Sequence, residues 1–467
     1  MRTDNIKFGT DGWRAIIALD FTVYNVGRVS KGLADWLLQR EQKPVVVLGH
    51  DCRFGGKLFC EATAGVLCAN GVKVLLAKGF ISTPMISLGV LKLGAHQGVV
   101  ITASHNPPTY NGYKLKGAHG GPSSPKDIAA VEALIPEEVT MPKETLAQWE
   151  EKGLLEYVDL EGLYCDYLKK QFDFELLGKS PFKLAYDAMY GAGQNVIRRL
   201  LPGAVLVHCD DNPGFHGQAP EPLDKNLREL AALVRTTPEI KIGLATDGDA
   251  DRIGLYDEDG NFVDAHNIIL LLIHYLHKYK GMTGKVVIAF SVTDRVKKLC
   301  EHYGLPVEVT AIGFKYISEI MVHDDVLVGG EESGGIAVKG HIPERDGIYD
   351  GLVLYEFMTK SGKTLKELCE EVYAIVGRFA YDRNDLHIDN DKKNAIIKKA
   401  ADGGYSKFGK YGFNRMESID GIKYHLDNDG WIMLRASGTE PVLRVYAEGN
   451  SKEETLDILE DVKKTIL

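Results

Sequence analysis

Four loops in this chain carry side chains whose types and spacing could do chemistry. The first is ITASHNPPTYNGYK, residues 101–114, where Ser104 and His105 follow the run Val99-Val100-Ile101-Thr102 and precede Asn-Pro-Pro and Asn111-Gly112. The pattern predicts a strand that stops in a rigid, turn-rich loop. Three roles compete for the serine: a hydrolase nucleophile, a carrier of phosphate, or a polar turn residue. A hydrolase needs a third group to orient its histidine, and His105, adjacent to Ser104, has poor geometry to act as its base. No G-x-S-x-G elbow surrounds Ser104 either. A phosphate carrier needs a cation and positioned donors instead, and Lys114 and Arg14 are candidate donors.

The second loop is ATDGDADR, residues 245–252, between the apolar runs KIGLA and IGLY. Asp247, Asp249 and Asp251 alternate, and three carboxylates so close repel one another unless a cation holds them. Oxygen ligands with room for water or phosphate suit Mg²⁺. The same residues match positions 1, 3 and 5 of an EF-hand, but position 6 is Arg252 rather than glycine and the flanks read as strands. In the third loop, 327–347, Gly329-Gly330 and Gly334-Gly335 bracket Glu331, Glu332 and Ser333. Carboxylate beside hydroxyl suits recognition of sugar hydroxyls, which both donate and accept; a plain Gly-rich turn reads equally well. In the fourth, RASGTEPVLRVY (435–446), Arg435, Ser437 and Thr439 surround Gly438, and Arg444 follows. Guanidinium, hydroxyls and glycine-freed backbone N–H groups make a phosphate cradle, against the plainer reading of a polar turn.

These loops must be held by a scaffold, and three segments share one grammar. PVVVLGHD (44–51), FKLAYDAMYG (182–191) and GKVVIAFSVTD (284–294) are apolar strands ending in polar residues, each followed by a plausible helix. The repetition predicts three α/β domains with mainly parallel sheets. Residues 423–449 read instead as strand, Asn-Asp-Gly turn, strand, loop, strand. Ser451 and Glu454 then form a capping-box signature, with Leu456, Leu459, Val462 and Ile466 on one helical face. This predicts a small C-terminal α+β domain. Linkers are expected near 135–160, 257–265 and 376–383.

Composition narrows the function. The 467 residues have 45% hydrophobic and 26% charged content, as ordinary globular chains of several domains do. Net charge is −10 with no basic run, which argues against nucleic-acid or membrane partners. An anionic ligand must therefore be drawn by a few local Arg and Lys residues. The longest apolar stretch, IILLLI, is too short to span a bilayer, and the polar N-terminus lacks a signal-peptide core, so a cytoplasmic location is expected. The seven cysteines include no CxxC pair and read as scattered reduced thiols.

Together the loops resemble those of the α-D-phosphohexomutase superfamily. TASHNP is similar to its phosphoserine loop, DGDADR to its metal loop, GEESGG to its sugar loop and RASGTEP to its phosphate loop, in the family's order; FGTDGWR (8–14) is similar to its N-terminal segment. The resemblance implies three related α/β domains with mainly parallel mixed sheets plus a smaller C-terminal α+β domain around a central cleft. The implied divisions are a phosphoserine domain (1–150), a metal-binding domain (160–258), a sugar-recognition domain (262–376) and a phosphate-binding domain (380–467). It also implies a reversible mutase. Phosphoserine at Ser104 donates to a hexose 1-phosphate, and a hexose 1,6-bisphosphate, also the activator, turns over and returns its other phosphate. By the same resemblance Mg²⁺ sits on Ser104, Asp247, Asp249 and Asp251. Arg252 neutralises the transferring group, Arg14 holds the phosphoserine, and Lys114 and His105 stand near the reacting hydroxyl. Arg435, Ser437, Gly438, Thr439 and Arg444 grip the other phosphate.

The resemblance also bears on the sugar. Glu331 and Ser333 correspond to ligands of the 3- and 4-hydroxyls. AIGFKY (311–316), with Lys315, and HIPERDG (341–347), with His341 and Arg345, resemble the phosphoglucomutase forms of their loops, although Arg345 stands where lysine is common. Gly335 stands where glucosamine and dual mannose/glucose enzymes have histidine, so that contact is missing or supplied by another residue. The expected reaction is glucose 1-phosphate to glucose 6-phosphate, with mannose phosphates as second substrates, by a monomer or homodimer. Phosphoglucosamine mutase and phosphopentomutase are the alternatives within the family. A phosphatase and a non-catalytic sugar-phosphate sensor are the rivals outside it.

Overall fold

The computed structural model describes residues 6–437 and 441–467. The chain forms two compact units: one runs to Lys285 and resumes over Gly313–Leu368, and the other comprises Val286–Ile312 and Cys369–Leu467.

The first unit opens with a six-stranded sheet. Val45–His50 lies between Lys73–Ala77 and Gln97–Ile101, parallel to both. Val46, Val47 and Leu48 are fully buried, as an unbroken apolar run must be when both sheet faces are covered. Helices Val23–Leu38 and Gly56–Ala69 bring Val26, Val29, Phe59 and Leu67 into the same core. Strand Tyr110–Gly117 runs antiparallel to Gln97–Ile101, and Trp13–Ile16 antiparallel to it, with Arg14 opposite Gly112. The Ser104 loop thus joins two adjacent strands. The stretch read as a linker, 135–160, carries helix Leu146–Glu151 and the sixth strand, Leu155–Val158, parallel to Lys73–Ala77. Its Pro and Glu content hid four residues that bury little.

The second sheet has five strands. Lys183–Asp187 is parallel to Val205–Val207 and Ile240–Thr246, and Ile253–Tyr256 turns back antiparallel to Ile240–Thr246. The aspartate loop is the connection between those last two strands, which excludes the helix–loop–helix of an EF-hand. The same unit holds Val326–Gly330 antiparallel to Ile336–Val338, and helices Phe314–His323 and Gly347–Ser361. IILLLI lies in the buried helix Ala265–His274. Among the described residues no helix is long and apolar enough to cross a membrane. The seven cysteines are free and buried.

In the second unit Val286–Ala289 pairs parallel with Val307–Thr310. A five-stranded antiparallel sheet follows, in the order Ala380–His387, Val442–Gly449, Trp431–Ala436, Ile422–Leu426, Phe413–Glu417. Ser451 caps helix Lys452–Ile466 by accepting from the Glu454 N–H at 3.2 Å. The Glu454 carboxylate reaches Asn450 N–H rather than Ser451, so half of the capping box forms. Leu456 is exposed; Thr455 and Ile458 take the buried face with Leu459, Val462 and Ile466. Spacings of three and four from Thr455 make the continuous stripe, and Leu456 lies one residue off it.

Candidate active site

Ser104 sits just past the end of strand Gln97–Ile101 with φ of +52°, a left-handed conformation that costs a non-glycine residue about 1–2 kcal/mol. Its side chain is buried, and Oγ donates to Asp247 Oδ2 at 2.7 Å. His105 Nδ1 lies 3.3 Å from the same Oγ. Burial, with the cations Arg252, Arg14, Lys114 and Arg53, holds the His105 pKa well below its ordinary value. Arg14 donates to Asn106 Oδ1 at 2.8 Å, which ties the loop to the edge strand.

Asp247, Asp249 and Asp251 are fully buried, and one carboxylate oxygen from each lies within 4.8 Å of the others. Asp247 Oδ1 accepts the backbone N–H groups of Asp251 and Arg252 at 3.0 and 3.1 Å, which curls the loop around its own carboxylate. Burial and the two neighbouring aspartates push the Asp247 carboxyl well above its ordinary range. Asp249 goes the other way: burial opposes its charge, but Lys114 and the Thr83 hydroxyl pull its pKa down. Asp249 Oδ1 and Asp251 Oδ1 are buried with no hydrogen-bond partner among the described residues. Two orphaned carboxylate oxygens beside a third acid fit a small divalent cation with hard oxygen ligands.

Lys114, buried on strand Tyr110–Gly117, reaches Asp11, Asp249 and Asp251 at 2.8, 2.8 and 2.9 Å. Burial works against its charge, yet the three acids hold its pKa well above the ordinary lysine value. Arg345 joins the same network, 2.5 Å from Asp11 and 2.7 Å from Asp251. Arg252 lies 3.4 Å from Glu221.

The glycine-rich loop docks on the aspartate loop through backbone: Ile253 N–H donates to Gly334 O at 3.1 Å and Gly347 N–H to Ala250 O at 3.1 Å. Glu331 is buried and accepts the Gly313 N–H at 2.9 Å, which joins it to the start of helix Phe314–His323. Burial, with Glu332 nearby, raises its pKa to about 7 against the pull of Arg345. Ser333 follows on the same loop, partly buried. A Cβ at Gly335 would lie 2.4 Å from Arg345 Cδ, so the Arg345 stem fills the space a side chain there would need. Lys315 lies with its ammonium 5.2 Å from the Tyr316 ring. The His341 ring stacks on Tyr349 at 3.9 Å and its Nε2 meets Asp346 at 2.8 Å, in a side chain 1% exposed. Asp346 caps helix Gly347–Ser361, and that cap takes the imidazole.

The second unit holds the fourth loop. Arg435 and Arg444 stand directly opposite each other on antiparallel strands. Like charges so placed repel. Arg435 is held by Asp420 at 3.0 Å, whereas Arg444 Nε is buried with no hydrogen-bond partner among the described residues. Ser437 is buried and its carbonyl accepts from Lys393 at 3.1 Å. Gly438 and Thr439 lie outside the described residues.

Several residues of the serine site escape a reading of the motifs. Asp11, Asp51, Arg53 and Thr102 stand within or beside quoted motifs without a side-chain pattern of their own. The signal available was the Asp51-x-Arg53 pair at a strand end, the same place from which Ser104 is presented in its own loop.

The sequence matches four family profiles: "Phosphoglucomutase/phosphomannomutase, alpha/beta/alpha domain I" over residues 5–141, domain II over 163–260, domain III over 264–376 and the C-terminal domain over 387–465. A phosphoglucomutase/phosphomannomutase of Thermococcus kodakarensis is 31% identical over 460 residues, which covers 97% of this chain and 96% of that one. A phosphoglucosamine mutase of Halalkalibacterium halodurans is 29% identical, covering 96% and 95%. A crystal structure of a provisionally assigned phosphomannomutase from Thermus thermophilus matches with a TM-score of 0.87 and 35% identity over 99% of each chain.

Proposed function

The chain belongs to the phosphoglucomutase/phosphomannomutase family, mutases with three α/β domains and a C-terminal domain, and from that premise we propose that it interconverts glucose 1-phosphate and glucose 6-phosphate through phosphorylated Ser104, with mannose phosphates as second substrates. The observation that carries this reading is Ser104 itself: a buried serine in a left-handed conformation, its Oγ on one carboxylate of a three-aspartate cluster that also binds Lys114. A serine hydrolase has no use for that cluster, and a sensor has no use for the serine.

The proposed site works by position and fixed charge. Asp247, Asp249 and Asp251, with Ser104, would hold Mg²⁺, whose chemistry there is neutralisation of phosphoryl oxygens. Lys114, kept protonated by its three acids, supplies a constant positive charge and hydrogen bonds beside Ser104. Arg14 and Arg252 add positive charge near His105. When phosphate returns to Ser104, its Oγ proton must leave; that oxygen donates to Asp247 Oδ2 at 2.7 Å and has His105 Nδ1 at 3.3 Å. Glu331 and Ser333 would accept and donate to the sugar hydroxyls. The Arg345 stem, in the space beside Gly335, takes the place of a histidine contact. Arg435, Ser437 and Arg444 would grip the phosphate that is not reacting, with a hexose 1,6-bisphosphate as intermediate and activator.

Turnover of glucose, mannose and glucosamine 1-phosphates, side by side with Mg²⁺ and a trace of glucose 1,6-bisphosphate, tests the reading. Glucose preferred, with or without mannose, supports it. Glucosamine 1-phosphate alone keeps the mechanism and replaces the substrate, an outcome to which the phosphoglucosamine mutases among the relatives give weight. No turnover on any of them overturns it. A calorimetric Mg²⁺ titration that heats equally with wild type and Asp249→Asn would remove the metal assignment.

A further inference from the structure

Ser104 is held in its left-handed conformation by groups that the proposed chemistry does not use. Arg53, buried beneath the loop, donates from Nη1 to the carbonyls of Pro107 and Tyr110 at 3.0 and 3.1 Å, and from Nη2 to those of Ser104 and Asn106. One guanidinium thereby gathers four carbonyls of one turn, which only its planar fork can do. Asp51, also fully buried, lies 3.3 Å from Arg53 Nε as an ion pair and accepts the Arg53 N–H at 2.9 Å. Its other bond is decisive. Thr102 donates its hydroxyl to Asp51 Oδ2, so the Thr102 oxygen is left free to accept, and it accepts the Ser104 N–H at 2.9 Å.

The peptide groups on both sides of the Ser104 Cα are therefore fixed, one by Thr102 and one by Arg53. The direction of Oγ follows from them. The clamp is sealed from two sides. The Phe215 ring lies 5.0 Å from the Arg53 guanidinium carbon. A Cβ at Gly248 of the aspartate loop would lie 2.6 Å from the Ser104 carbonyl, so backbone packs on backbone there.

We infer that Asp51, Thr102 and Arg53 are positioning residues that aim Ser104 Oγ, and that the rate of phosphoryl transfer depends on their hydrogen-bond relay. This rests on the reading of Ser104 as the phosphate carrier. A misplacement near 1 Å costs on the order of 100-fold in rate when reacting groups must meet in line.

The test uses the full chain loaded from glucose 1,6-bisphosphate. Thr102→Val keeps the shape of the side chain and removes the relay, Thr102→Ser keeps the relay, and Arg53→Lys keeps the charge but not the fork. Three readouts are taken: kcat and KM for the preferred hexose 1-phosphate, the ³¹P resonance of the phosphoserine, and the melting temperature. Thr102→Val and Arg53→Lys should lose about 100-fold in kcat with KM within about threefold, and their ³¹P resonance should shift or broaden. Thr102→Ser should recover most of the rate and the wild-type resonance. The inference falls if either impaired variant, folded, keeps kcat within about threefold, or if Thr102→Ser stays as slow as Thr102→Val. A Thr102→Val chain that does not fold leaves Arg53→Lys to decide. Wild-type Ser104 that takes up no phosphate overturns the phosphoserine reading as well; a phosphorylated, active wild type beside unaffected variants overturns this inference alone.

Discussion

Beside Ser104 the three aspartates and Lys114 are fully buried and their charges are shared among several partners, whereas Arg435 and Arg444 stand half-buried opposite each other on two strands, with Asp420 paired to Arg435. Lys114 alone meets three carboxylates. Arg444 Nε has no hydrogen-bond partner among the described residues. The difference teaches what each region is built for. Groups that move a phosphoryl group must not move themselves, so their neighbours over-determine them. Groups that grip a phosphate in either orientation of a sugar gain from charge that is not already satisfied.

The contrast can be broken by substitution. The largest effect is expected from Ser104→Ala, which should lose at least about 10⁴-fold in turnover and take up no labelled phosphate from glucose 1,6-bisphosphate. Arg444→Ala should raise KM by about 10- to 100-fold, the worth of one charge-assisted hydrogen bond, while the final extent of Ser104 labelling at saturating glucose 1,6-bisphosphate stays within about twofold. Equal loss of labelling in both would erase the distinction between transfer and grip. Gly335→Ala tests how tightly the first region is filled: its Cβ must displace the Arg345 stem. Overpacking of this kind costs about 1–3 kcal/mol, read as a lower melting temperature, with kcat/KM down about 10-fold. An unchanged melting temperature would show that Arg345 has room.

The smallest effect is a pH dependence. Burial raises the Glu331 pKa to about 7 from its ordinary 4.5. Between those values the folded protein holds a proton that the unfolded chain has lost, so stability falls as pH rises through that window. Melting temperatures of wild type should decline by a few degrees from pH 5 to 8 relative to Glu331→Gln. Parallel curves would mean that Glu331 is ionised throughout.

The loops themselves were legible because each is a short contiguous stretch between two strands, where residue type and spacing survive without tertiary context. The aspartates, Ser104 and Lys114 converge within hydrogen-bond distance. What could not be read depends on separation. Arg53 meets Ser104 across 51 positions, and Arg345 meets Asp11 across 334. A guanidinium two residues after an aspartate carries no mark of which carbonyls it will gather. Likewise the sequence carries no mark that His341 will lie between the Asp346 carboxylate and the Tyr349 ring. Leu456 falls one residue off the buried face, because four apolar side chains define a stripe only loosely and Thr455 supplies its true edge.

The cross-strand arginine pair has a practical consequence for anyone who handles this protein. Two arginines opposite each other on neighbouring strands welcome whatever oxyanion is most abundant. Phosphate or sulfate buffer should therefore compete with substrate and stiffen the small sheet at the same time. Kinetics recorded in phosphate and in an amine buffer should disagree, and the disagreement should shrink when Arg444 is replaced.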